Sequence, residues 1–160
     1  MFTALVRTRE DYALTVLRLF LGVVFFAHGA QKMLAWFGGP GFSATMQEFA
    51  QSGIPAFLAF LAICAEFFGG LGLIVGLLGR IAALGIMVNM IVAILAVHAP
   101  YGFFMNWTGQ QQGEGYEYHL LAIGMSLATI ISGSGAMSID AALSRRAAMR
   151  AGRIRDRKVA

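Results

Sequence analysis

An all-α integral membrane protein, a bundle of four helices that each cross the bilayer, is the fold class this sequence predicts. Three observations predict it. Charged residues make up 12% of a 160-residue chain that is 58% hydrophobic, where an ordinary soluble domain is roughly a quarter charged. Four apolar runs (12–37, 56–78, 81–99 and 118–136) each approach the ~20 residues needed to cross ~30 Å of hydrocarbon. The basic residues gather on one alternating set of connections. Mean hydropathy, +0.71, agrees with lipid as the main solvent. The length suits one domain, read as a membrane domain over 1–140 followed by a basic cytoplasmic tail over 141–160. The single cysteine, Cys64, excludes an internal disulfide, CxxC redox chemistry and a thiolate cage, and no metal site is expected.

The first run follows Arg7 and Arg9. It is long, carries polar groups and lacks an A-x-A site, so it reads as a span rather than a cleaved signal peptide. The connection 38–55 holds no Lys or Arg. It places Phe42, Met46 and Phe49 at i, i+4 and i+7 with Ser43, Gln47 and Gln51 elsewhere, which predicts a short amphipathic helix in the membrane interface. The second run opens after Pro55 and meets the third across a tight turn at Arg80. The connection 100–117, "PYGFFMNWTGQQQGEGYE", again holds no Lys or Arg and is dense in the aromatic residues that sit at headgroup level. After the fourth run come Arg145, Arg146, Arg150, Arg153, Arg155, Arg157 and Lys158. The positive-inside rule then places both termini and the Arg80 turn in the cytoplasm, for a multi-pass protein of the bacterial inner (plasma) membrane. The tail reads as a segment that touches anionic lipid; nucleic acid is not an expected partner.

Polar side chains inside the runs point to the candidate site. With Arg18 at zero, a helical wheel puts Gly22, Gly29, Lys32 and His28 at about +40°, +20°, −40° and −80°. That is one small-and-polar third of the first helix. Charged groups at membrane depth turn inward and find partners. Glu66 falls about 16 Å into the second helix, near the midplane, with Gly69, Gly70, Gly72, Gly76 and Gly79 on a glycine-rich side that admits a close neighbour. On the third helix Arg80 and His98 share a face, while Asn89 lies opposite, where a helix-to-helix hydrogen bond is its expected use. On the fourth, Glu117 aligns with Gly124 and Ala128, and His119 points elsewhere. Matching depths predict a polar column: Arg18 and Glu66 low, His28 in the middle, and Lys32, His98 and Glu117 at a mouth roofed by the two loops. A plainer reading stands beside it. Glu66 simply neutralises Arg18 or Lys32 and locks two helices, Lys32 snorkels, and the histidines are interface residues.

These residues resemble the DoxX family of small four-span bacterial membrane proteins. The resemblance runs from about Tyr12 to Asp140: Arg18 and Gly22; "HGAQK" with His28, Gly29 and Lys32, then Gly39 and Gly41; Glu66, Gly69, Gly70, Gly76 and Arg80; His98, Gly102 and Phe103; Glu117, Tyr118 and Leu120. It implies a four-helix bundle in the bacterial inner membrane. Some relatives are linked to quinone-dependent thiosulfate oxidation, others to membrane complexes that handle oxidative or thiol stress.

The leading expectation is a quinone-associated or accessory subunit of a membrane redox complex. Its polar pocket opens to the outer face and supplies a hydrogen-bond donor and a proton-exchanging group. Quinone is the cofactor this implies. The lipid bilayer, redox-complex subunits and a second copy of the chain are the implied partners. No catalytic residue is assigned. The alternatives are a non-catalytic scaffold that recruits subunits through glycine faces, a small proton or solute transporter built on the Glu66 column, and haem held by His28 with His98 or His119.

Overall fold

The computed structural model of the protein describes residues 2–159, with side chains described for residues 3–151. Every regular element among them is helical. A short α1 (Phe2–Val6) precedes α2 (Tyr12–Leu34), which Asp11 starts by accepting the Ala13 N–H at 2.7 Å. That satisfies one of the donors a helix start leaves free. α2 is about 34 Å long, enough to cross a bilayer. It stops at Leu34, short of the expected Phe37, because Ala35 (φ 58°) and Phe37 (φ 53°) take left-handed backbone into the 3-10 turn Trp36–Gly38. Left-handed geometry costs a residue with a Cβ about 1 kcal/mol or more.

The expected amphipathic helix is α3 (Gly41–Gln51), which packs against α2 and α4. Phe42 meets Phe60 edge-on at 6.3 Å. α4 (Ala56–Val75) ends at Gly76, whose φ of 68° releases the chain. The Leu77 N–H returns to the Gly72 carbonyl at 2.8 Å, the reversed bond that closes many helix C-termini. α5 (Gly79–Ala93) begins three residues after Gly76 with no side-chain cap of its own. Its cap comes from far along the chain. The Asp140 carboxylate, 1% exposed, accepts the Leu78 and Gly79 N–H groups at 2.9 and 3.0 Å and the Ser134 hydroxyl at 2.6 Å.

α5 continues through a π turn (Ile94–His98) into the 3-10 turn Ala99–Tyr101. α6 (Glu117–Ser132) ends at Gly133 (φ 89°), earlier than the sequence suggests. α7 (Ile139–Val159) carries the basic tail. In it Arg145 pairs with Glu10 at 2.8 Å, both exposed. The side chains of Arg153, Arg155, Arg157 and Lys158, which the sequence assigns to a lipid-touching tail, lie outside the described residues.

α2 packs on α4, α4 on α5, α5 on α6, and α6 returns to α2 in the sparsest of these four contacts. Leu21, Phe25, Leu73, Ala83, Ile86, Met90 and Ala122 fill the space between them. The α2–α4 contact is backbone against backbone: a Cβ on Gly22 would stand 2.9 Å from the Gly70 carbonyl oxygen, and one on Gly70 2.7 Å from the Phe26 Cα. Phe20, Val23, Phe57, Phe68, Leu84, Leu95 and Leu121 are exposed on the outside. In water this would be a severe liability; in lipid it is the expected surface. Three segments, Tyr12–Leu34, Ala56–Val75 and Gly79–Tyr101, are long and apolar enough to cross a membrane, whereas α6 is apolar but only 16 residues long.

Candidate functional site

The glycine contacts between α2 and α4 bring the two backbones close enough for short-range pairing of their side chains. At the end of the helices away from the chain termini, Lys32 of α2 forms an ion pair with Glu66 of α4. Glu66 is buried, and its other oxygen accepts the Asn89 side-chain N–H of α5 at 3.0 Å. One carboxylate thus ties three helices together. Asn89, which the sequence places opposite the column, is the third member, and its bond runs between helices as the sequence expects.

α6 supplies the rest of the cluster. The Tyr118 ring lies 6.3 Å from Phe25 and 6.4 Å from His28, and both Tyr118 and His28 are within electrostatic reach of Glu66. The Tyr118 hydroxyl is buried and has no hydrogen-bond partner among the described residues. Next to it His119, only 5% exposed, has a buried Nδ1 that is also unpartnered. His119 was expected to point away; instead its ring meets His98 at 4.1 Å between centroids. The π turn explains this. It widens the helix just before His98 and turns that residue off the straight-helix face it would share with Arg80. His98 Nδ1 lies 2.8 Å from the Glu114 carbonyl. Since a carbonyl only accepts, Nδ1 carries the proton in this contact.

Three sequence expectations need correction. Arg18 does not sit with Glu66. Buried to 1% exposure at the opposite end, its guanidinium donates to the backbone carbonyls of Ser134 (2.6 Å), Ile74 (2.7 Å), Leu73 and Met137. It satisfies carbonyls left free where α4 ends and where the chain runs irregularly after α6. Glu117 is not a pocket wall either. Its carboxylate accepts the Met105 N–H at 3.1 Å and the Trp107 indole N–H at 2.9 Å, strapping the aromatic loop to the start of α6. His28 is exposed on the flank of α2 and makes no hydrogen bond among the described residues. The expected column is therefore two separate polar centres. One is a structural knot of Arg18, Ser134 and Asp140. The other is a cluster of Lys32, Glu66, Asn89, Tyr118, His119 and His98 with His28 at its edge.

Sequence reasoning assigns no side-chain role to Tyr118, Ser134 or Asp140 and does not pair His119 with His98. A usable signal existed for Asp140, a lone acid opening the last helix of a chain with an unmatched Arg18. For the unpartnered Tyr118 and His119 the only signal was their place at the start of an apolar run.

The DoxX family model matches residues 13–99 of the chain. Among curated proteins the chain is similar to "Putative oxidoreductase CatD" of Bacillus subtilis (strain 168), 30% identical over 125 residues, 78% of this chain and 82% of that one. It is also similar to "Inner membrane protein YqjF" of Escherichia coli (strain K12), 28% identical over 137 residues, 86% of this chain and 96% of that one. No solved structure matches it.

Proposed function

The chain belongs to the DoxX family of membrane proteins, and from that premise we propose that it is a quinone-binding accessory subunit of a membrane redox complex. In this reading α6 is a fourth span, both termini and the Arg80 turn face the cytoplasm, and the polar cluster lies in the outer half of the inner membrane. The basic connections support that orientation, and a relative named as an inner membrane protein supports the compartment.

The observation that carries the proposal is the pair of orphaned groups beside a complete ion-pair network. Leaving a buried polar group unpaired costs about 1–3 kcal/mol, so the Tyr118 hydroxyl and His119 Nδ1 mark a place where an acceptor-bearing ligand gains more than it would elsewhere. A quinone ring fits that chemistry: flat, apolar on its faces and carrying two carbonyl oxygens. When bound, a quinone supplies two-electron, two-proton redox chemistry. The chain's own part is to bind and to manage protons. Tyr118 donates to a carbonyl oxygen, Phe25 packs against the Tyr118 ring, and His119, neighboured by His98, holds an exchangeable proton at its ring nitrogen. The Lys32 ammonium favours electron density on a nearby ring. The relative named as an oxidoreductase supports a redox setting.

The test is retention. Protein purified in mild detergent is expected to carry quinone detectable by mass spectrometry, and Tyr118→Phe and His119→Ala are expected to lose most of it. Wild-type protein without quinone, or variants that keep it fully, would remove the proposal. A second reading, a scaffold without chemistry, is favoured by one observation: Lys32 and Asn89 leave Glu66 with both oxygens engaged, as a purely structural lock would.

A further inference from the structure

Beside His28, on the side of α2 away from α4, lies a groove lined by Val23, Val24, Ala27, His28, Gln31 and Phe37. Its floor is apolar. Its polar end is formed by His28 and Gln31, and neither side chain makes a hydrogen bond among the described residues. Phe37 closes one wall, held there by the left-handed turn after α2. A Cβ on Gly39 would stand 2.5 Å from the Gln31 Cα, so the returning chain presses on this part of the helix and fixes the turn. The groove adjoins the seam between α2 and α6, the sparsest of the four helix contacts. Across that seam His28 leans on Tyr118, whose buried hydroxyl has no partner. The groove therefore ends at an imidazole whose ring neighbours that of Tyr118, and the orphaned polar atoms lie buried behind that ring.

We infer that this groove is a lateral entrance for the ligand from within the bilayer: it seats the first part of a long hydrocarbon tail on α2 while the ring of the same molecule passes His28 to reach Tyr118. The inference rests on the quinone reading and narrows its substrate class to tailed, lipid-soluble ring compounds rather than small water-soluble ones. Two features select such an occupant over a phospholipid acyl chain. An acyl chain has no use for His28 and Gln31 at the groove's end. A ring with carbonyl oxygens gives both the His28 edge and the Tyr118 hydroxyl an acceptor. Lateral entry also suits the closed opposite side, where backbone contact between α2 and α4 leaves no passage.

The experiment uses the full chain in proteoliposomes with two photoreactive probes. One is a decyl-tailed benzoquinone with a diazirine early in its tail; the other is a fatty acid with the diazirine at the same distance from its polar end. Adducts are mapped by peptide mass spectrometry. The benzoquinone probe is expected to label the 23–37 segment, unlabelled tailed quinone to suppress that labelling, and the fatty acid to label it far less. Tyr118→Phe, which removes the ring's anchor and leaves the groove intact, is expected to cut the quinone adducts severalfold. If quinone is retained by the protein but adducts fall elsewhere, the entrance is wrong and the function survives. Equal labelling by the fatty acid overturns the groove as a selective seat. If no quinone is retained at all, the functional reading fails and the entrance fails with it.

Discussion

At the residue scale, the Lys32–Glu66 pair is the feature with the largest consequence. Glu66 is buried and Lys32 partly so, with side-chain exposures of 7% and 27%. Removing one partner of a buried pair costs about 3–5 kcal/mol, whereas replacing both with apolar groups is often near neutral. Lys32→Met is therefore expected to lower the thermal midpoint in detergent markedly, and Lys32→Met with Glu66→Leu to recover most of the loss. A double variant no better than the single would show that the two charges do not offset one another. Tyr118→Phe separates stability from function. It deletes an unpaired hydroxyl, so the midpoint is expected to hold or rise slightly while quinone retention falls. The sequence exposed Lys32 and Glu66 because an ionisable side chain in an apolar run has few places to go. It misassigned Arg18 for a physical reason. The partners of Arg18 are backbone carbonyls freed by helix ends and glycine turns, and backbone acceptors leave no mark in a residue pattern. The pairing of His98 with His119 was hidden in a similar way, because a helical wheel assumes an even turn and α5 widens just before His98.

At the element scale, the positions of helix ends decide what meets what. The sequence makes the helices themselves legible through their apolar runs. It did not give away where they stop, because the stops at Ala35, Phe37 and Leu78 are made by residues with no evident preference for left-handed backbone. The start of α5 depends on a carboxylate from α7 rather than on its own flanking residues. Side-chain caps are worth about 1 kcal/mol, and Asp140 accepts two backbone N–H groups and a hydroxyl from a buried position. Asp140→Ala is thus expected to destabilise the protein by about 2 kcal/mol or more. Hydrogen exchange at the amides of Leu78 and Gly79 is expected to quicken far more than exchange in the middle of α4. Uniform quickening across the helices would mean that Asp140 supports the whole domain and not this turn. The α2–α4 contact is a second element-level dependency. Gly70→Val would force side-chain atoms into the α2 backbone near Phe26, and with the helices forced apart the Lys32–Glu66 pair loses its reach.

At the scale of the whole molecule, the architecture turns on α6 crossing the membrane. Its 16 residues span about 24 Å, less than the ~30 Å of a typical hydrocarbon core. Two features offset the deficit. Glu117 opens the helix while tied to Trp107 in the aromatic loop, which suits the headgroup level where tryptophan anchors. At the other end Gly133, Ser134 and Gly135 are buried, with Ser134 bound to Asp140 and Gly135 donating to the Thr8 hydroxyl at 2.7 Å. Irregular backbone is tolerated at membrane depth when protein groups satisfy it. In the proposed topology a short helix plus a satisfied irregular segment completes the crossing, and an even number of spans returns the chain to the side on which it began. The consequence is directly measurable. In a Cys64→Ser background, Thr108→Cys in the aromatic loop is expected to react with a membrane-impermeant maleimide on intact spheroplasts. Ser144→Cys on α7 is expected to react only after the membrane is broken. Labelling of both from outside would mean that α6 does not cross, and the polar cluster would then have to be placed relative to the membrane afresh.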